Sequence, residues 1–154
     1  MALASETEMT ATEIDDFLSG HETGVLSLAR GDDPYAIPIS YGYDRSERAF
    51  YLRLVSTDGS EKRRFLGSSP RARLVVYDKA ESADVYRSVV ASGHLEEIPP
   101  EDLSVETIEG YGEAKRPLFE IWAVSKEDLE IELYRLEPDE IGGRRTEIDR
   151  DPEE

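Results

Sequence analysis

Tyr35-Ala36-Ile37-Pro38-Ile39-Ser40-Tyr41-Gly42-Tyr43 is the stretch on which the fold turns. Strict alternation puts Tyr35, Ile37, Ile39, Tyr41 and Tyr43 on one face and Ala36, Pro38, Ser40 and Gly42 on the other. That period of two marks a strand with one face on a core. Gly31-Asp32-Asp33-Pro34 before it is turn chemistry, and Thr23–Arg30, with Leu26 and Leu28 on one face, reads as the preceding strand. Further upstream, Thr10 and Glu13 have capping-box spacing ahead of Ile14, Phe17 and Leu18, which predicts a short helix closed by Gly20. Downstream, Asp44–Glu47 turns the chain and Phe50, Leu52 and Leu54 continue as a third strand. A short helix is expected over Ser60–Leu66. From Pro70 a strand follows, in which Ala72, Leu74 and Val76 alternate with Arg71, Arg73 and Val75.

A long strand is expected over Val85–Ile98. Pro99 and Pro100 open a helical region through Leu103 and Ile108, and another short helix after Pro117 carries Leu118, Ile121 and Trp122. The last strand holds Leu129, Ile131 and Leu133. Six closely spaced strands with short helices at the turns predict a mainly β, six-stranded antiparallel barrel. Gly142-Gly143 is expected to end ordered structure. The domain is then 10–143, with a flexible N-terminus over 1–9 and an acidic mobile tail over 144–154.

Charge narrows the function. The 154 residues carry 35 Asp and Glu against 18 Lys and Arg, a net charge of −17. A polyphosphate backbone would be repelled by such a surface, so nucleic acid is not an expected partner. The basic residues are 14 Arg and 4 Lys, and an acidic surface that avoids lysine fits a high-salt cytoplasm. No cysteine is present, which removes disulfides, thiolate catalysis and zinc–sulfur sites. Met1–Glu8 has neither the basic nor the apolar part of a signal peptide, and no apolar run reaches the length of a membrane span. A cytoplasmic protein is expected.

Against that acidic background, Lys62–Tyr77 contains Lys62, Arg63, Arg64, Arg71 and Arg73 and no acid. Lys62 and Arg63 fall in the first turn of an expected helix, where each cation opposes the helix dipole at about 0.3–1 kcal/mol. An anion at the helix start offsets that cost. The N–H groups after Gly59 and the Ser60 hydroxyl would bind the same anion, and Arg53 on the preceding strand could reach it. Singly, Ser60 suits an ordinary N-cap and the arginines suit surface ion pairs. As a group they point to phosphate. The small-residue face of the strand Pro38-Ile39-Ser40-Tyr41 lets a flat ring approach the backbone, and it equally suits packing on another strand or helix.

The order of these pieces is a strand ending in Pro38-Ile39-Ser40, then Phe50-Tyr51-Leu52-Arg53, then Gly59-Ser60-Glu61-Lys62-Arg63-Arg64-Phe65-Leu66, then Ser69-Pro70. It resembles the pyridoxamine 5′-phosphate oxidase-like family of FMN-binding split barrels. The resemblance runs over about 10–143, with its sharp motifs in 37–77. It implies an FMN phosphate held by Ser60, Lys62 and Arg63, with Arg53 reaching from the strand. Glu61 stands where the family usually has arginine, and Ser69 where it has asparagine. It also implies a homodimer with FMN between subunits, in which backbone at Pro38, Ile39 and Ser40 would orient the ring. Trp122, the only tryptophan, suits a core or interface role, and more sharply a stacking lid over the flavin from the neighbouring subunit. The chemistry implied is that of an oxidoreductase of unknown substrate. A non-catalytic FMN carrier or redox sensor, or a deazaflavin (F420) binder on the same scaffold, are the alternatives. Two distant histidines, His21 and His94, make a weak metal case, and no metal is expected. His21, just past a helix end, reads as a cap or surface residue.

Overall fold

A computed structural model describes residues 3–56, 70–80, 84–98 and 130–149. The helix α1, Ala11–Ser19, starts where the capping box puts it. The Glu13 N–H donates to Thr10 Oγ1 at 3.2 Å and the Thr10 N–H to Glu13 Oε1 at 3.1 Å. Two of the donors that every helix start leaves over are thus satisfied. Ile14, Phe17 and Leu18 are buried on one face of α1, and Gly20 caps its end.

The strands are β1 (Leu3–Glu8), β2 (Thr23–Arg30), β3 (Asp33–Asp44), β4 (Ala49–Ser56), β5 (Arg71–Ala80), β6 (Val85–Glu97) and β7 (Glu130–Asp149). They pair antiparallel in the order β1-β7-β4-β3-β2-β5-β6, and β6 also pairs with β7. Six strands therefore close a ring, as the spacing of apolar runs predicts, and β1 is a seventh lying outside it. Inside the ring the alternation holds: Ile39, Tyr41 and Tyr43 of β3 meet Phe50, Leu52 and Leu54 of β4 and Leu74 and Val76 of β5. Phe50 touches both tyrosine rings, with centroids 5.5 Å from Tyr41 and 5.0 Å from Tyr43.

Helix α1 contributes its apolar face to this core. Tyr41 Oη donates to the Leu18 carbonyl at 2.8 Å and Tyr43 Oη to Asp15 Oδ1 at 2.7 Å. The tyrosine row thus fastens the helix as well as filling the barrel. Burial pushes both phenols well above their ordinary pKa, and for Tyr43 the bonded Asp15 adds to it, so both hydroxyls remain donors.

Two expectations about the ends are corrected. Gly142-Gly143 does not end the ordered chain, for both lie within β7, which runs on to Asp149. Gly143 marks a close approach. Gly143 accepts a hydrogen bond from the Met9 N–H at 2.9 Å, and a Cβ there would stand 2.8 Å from Met9 Sδ and 3.0 Å from Ile14 Cγ1. Residues 144–149, expected to be mobile, pair with β1, and 144–147 pair with β6 as well. Residues 3–8, expected to be flexible, form β1. A second close approach explains Gly93, beside the register shift of the β6–β7 ladder. A Cβ at that position would collide with the Glu137 carbonyl. Among the described residues no helix is long and apolar enough to cross a membrane.

Candidate functional site

The ladder between β3 and β4 is short. It runs from Asp44 opposite Ala49 to Tyr41 opposite Leu52. Beyond that point the strands follow different neighbours: residues 33–40 of β3 stay with β2, while Arg53–Ser56 of β4 stay with β7. The sheet parts here, with Ser40 and Arg53 the first residues on either lip.

The Tyr41 N–H donates to the Glu22 carbonyl at 2.9 Å, so Tyr41 turns its backbone groups toward β2. Alternation turns Ile39 the same way and directs those of Pro38 and Ser40 toward the parting. Proline suits that place, because its missing N–H is not needed by the β2 ladder. The side chains divide in the opposite sense. Ile39 is buried in the core, and Ala36 and Pro38 are exposed on the outer face. Ser40 is buried and engaged by a partner.

Of the phosphate group read from the sequence, Arg53 has its backbone on β4 beside the parting. Ser60, Lys62 and Arg63 fall in 57–69 and Trp122 in 99–129, outside the described residues. The chain leaves β4 at Ser56, on one of the strands that part, and is described again from Pro70, ahead of β5, which pairs with β2 and β6. Pro38–Ser40 and Arg53 thus stand at the two lips of the parting, and β4 runs on from there toward the basic segment.

The rest of the basic stretch goes elsewhere. Arg71 forms a two-pronged pair with Asp139 of β7, at 2.7 and 2.8 Å, and is not available to a phosphate. Arg73 points from the outer face of β5, with Nε 3.1 Å from Ser92 Oγ. His94, exposed on β6, sits opposite Arg71 and Glu137 in the ladders.

A polar cluster that sequence reasoning missed lies where α1 meets β5 and β6. His21 Nδ1 is 2.7 Å from the Phe17 carbonyl and Nε2 is 3.0 Å from Asp78 Oδ2. Asp78 also receives Arg87 through both oxygens, at 2.6 and 3.1 Å, and the Arg87 guanidinium lies 5.0 Å from the Phe17 ring centroid. Burial works to raise the Asp78 carboxyl. The Arg87 bonds and charge, with the His21 contact, outweigh it and hold Asp78 below its ordinary value. His21 therefore caps the helix end and ties it to the barrel. Partners 57 residues apart in sequence leave no local signature to read.

The ring with one parted seam defines a split barrel, the architecture of a class of small β proteins. A family model described as pyridoxamine 5′-phosphate oxidase matches residues 10–145, and the chain belongs to that family. No curated protein matches it in sequence. Among solved structures, it is similar to a FAD-binding protein from Mesorhizobium loti, at 20% identity and a TM-score of 0.67, over 95% of this chain and 98% of the other. It is also similar to the FAD-binding protein from Mycobacterium smegmatis, at 17% identity and a TM-score of 0.63, over 92% and 98% of the two chains. A heme-binding protein from M. smegmatis matches 88% of this chain with 54% of its own, at 18% identity and a TM-score of 0.61. At such identities the likeness carries the fold alone, and proteins with different ligands share it.

Proposed function

We propose that this protein is an FMN-binding flavoprotein of the pyridoxamine 5′-phosphate oxidase family, acting as an oxidoreductase on a substrate still to be identified. The observation that supports this reading is the parting of β3 from β4, which leaves the backbone of Pro38–Ser40 and of Arg53 at its two lips, with β4 leading on into 57–69. Ser60, Lys62 and Arg63, with Arg53, would hold the phosphate by charge-assisted hydrogen bonds. Backbone groups at Pro38 and Ser40 would meet the polar edge of the ring. The small side chains on that face leave a flat ring room, so the residues present fit the group. Ile39 supports the ring from behind, since its own side chain belongs to the core. When bound, FMN supplies two-electron transfer, and the protein contributes position and electrostatics.

The same reading makes the molecule a homodimer, with Trp122 of each copy over the other's flavin. Support comes from the outer sheet face. Pro38, Val25 and Val75 stand in register across β3, β2 and β5, and Tyr77, next on that face of β5, is 68% exposed. A second copy would cover this strip.

Purified protein gives the test. Visible absorbance near the flavin bands, mass analysis of the released cofactor and sedimentation should together report FMN at one per chain in a dimer. Colourless protein that takes up no FMN would reject the reading. Bound deazaflavin would replace it with the F420 alternative, and bound FMN without turnover of any donor and acceptor would leave a carrier or sensor.

The charge of −17 and the arginine bias fit a cytoplasm rich in salt. The thermal midpoint is accordingly expected to climb steadily from about 0.2 M to about 3 M KCl as self-repulsion is screened. A flat or falling midpoint over that range argues for an ordinary environment.

A further inference from the structure

We propose that His21 is a proton-operated latch. With a proton on each ring nitrogen it fastens the end of α1 to β5, and loss of one proton as the pH rises releases that fastening.

Each ring nitrogen of His21 faces a group that can only accept. Nδ1 is 2.7 Å from the Phe17 carbonyl oxygen, and Nε2 is 3.0 Å from Asp78 Oδ2. A carbonyl has no proton to give. Burial works to raise Asp78, but its bonds to Arg87 outweigh that and keep it a carboxylate. A neutral imidazole carries one N–H, so either tautomer would leave a lone pair against an acceptor at hydrogen-bond distance. Only the imidazolium donates to both. The side chain is 26% exposed, so water can deliver and remove the proton.

The surroundings favour that extra proton. The Phe17 carbonyl belongs to the last turn of α1, the negative end of the helix dipole, and the Phe17 ring lies 4.1 Å from the imidazole, centroid to centroid. Glu13 and Asp16 of α1, Arg87 of β6 and Arg145 of β7 line the same cavity as His21. Arg87 is paired with Asp78, Arg145 with Glu147, and Asp16 with Arg45. On β5, Lys79 lies by Asp84 and over the Tyr86 ring. On β3, the Tyr41 hydroxyl is taken by the Leu18 carbonyl. With those pairs balanced, Glu13 and the neighbouring Glu22 leave the local charge negative.

The latch stands directly behind one lip of the parted sheet. The Glu22 carbonyl accepts from the Tyr41 N–H at 2.9 Å, and Thr23 is opposite Ser40 in the ladder. Once His21 lets go of Asp78, the turn from Gly20 to Thr23 loses its side-chain tie to β5. The backbone pairing behind Ser40 loosens with it.

Nitrogen-15 NMR and thermal unfolding of the full chain test this. Near about pH 6, where histidine is open to protonation, His21 should show two ring N–H protons, both slow to exchange with water. Towards about pH 8.5 one of them should vanish, and the Tyr41 amide, corrected for intrinsic exchange, should lose at least about tenfold in protection. The sign for stability follows. The doubly held proton exists only in the folded chain, so its contribution is complete at low pH and lost as the pH rises. Wild type should therefore melt about 3 °C above His21→Gln near pH 6, with the gap closed near pH 8.5. His94→Gln, at the exposed histidine of β6, should leave that pH dependence unchanged. A single ring N–H on His21 near pH 6 overturns the proposal. So does a gap between wild type and His21→Gln that stays constant over the range, or one that His94→Gln reproduces. None of these measurements uses a flavin, so their outcome is separate from that of the flavin reading.

Discussion

Lys62→Glu is expected to lower FMN affinity on the order of a hundredfold while leaving riboflavin affinity where it was. A charge-assisted hydrogen bond contributes about 1.5–3 kcal/mol, and reversing the charge adds repulsion to its loss. About 2.8 kcal/mol is already a factor of one hundred. The comparison with riboflavin isolates the phosphate, because the two ligands share the ring and the ribityl chain. Fluorescence-quenching titrations of both flavins decide it. Equal losses would point to a disturbed fold, and no loss of FMN would remove Lys62 from the site.

The second large effect belongs to the core. Phe50→Ala is expected to destabilise the protein by about 3–5 kcal/mol, the usual cost of emptying a buried aromatic site. For a chain of this length that corresponds to a fall in melting temperature of roughly 10 °C. Phe50 is fully buried, and it joins three strands: Tyr43 of β3 and Leu136 of β7 stand opposite it in the two ladders of β4. Those ladders flank the parting of the sheet, so the cavity would loosen the seam as well as the core. Flavin affinity should fall along with stability, whereas Phe50→Leu, which keeps most of the volume, should cost well under half as much. Thermal unfolding and FMN titration of the two variants make the measurement. An Ala variant as stable as the Leu variant would show that the site collapses freely.

How much was legible depends on whether the signal was local. The capping box at Thr10 and Glu13, the alternation of 35–43 and the long run from Val85 each carry their meaning within a few residues, and each stands in the structure. Strand β1 did not, because its stretch Leu3-Ala4-Ser5-Glu6-Thr7-Glu8 has no apolar alternation; it is held by backbone pairing with residues 144–149. Gly142 and Gly143 look like a terminator when read alone, since the need for glycine at 143 is set by Met9 and Ile14, far away in sequence.

The candidate site divides the same way. The basic run from Lys62 to Arg73 was visible as a gap in the acid, but Asp139, 68 residues after Arg71, claims one member of it. His21 could be read as a cap, while its bond to Asp78 could not, because nothing near His21 announces an acid on β5. Serine at 92 gives no hint that it aims an arginine. Only the register of two ladders brings that pair together.

The twenty residues of β7 have a bearing on how the chain reaches this state. They touch β4, β6 and β1, and the partnership with β1 joins positions 3 and 149. Every strand through β6 must be synthesised before β7 can close the ring. Until then the earlier strands wait on the ribosome with an open edge, and closure over so long a loop is slow. The net charge of −17 over the sequence works against one copy associating with the next during that wait.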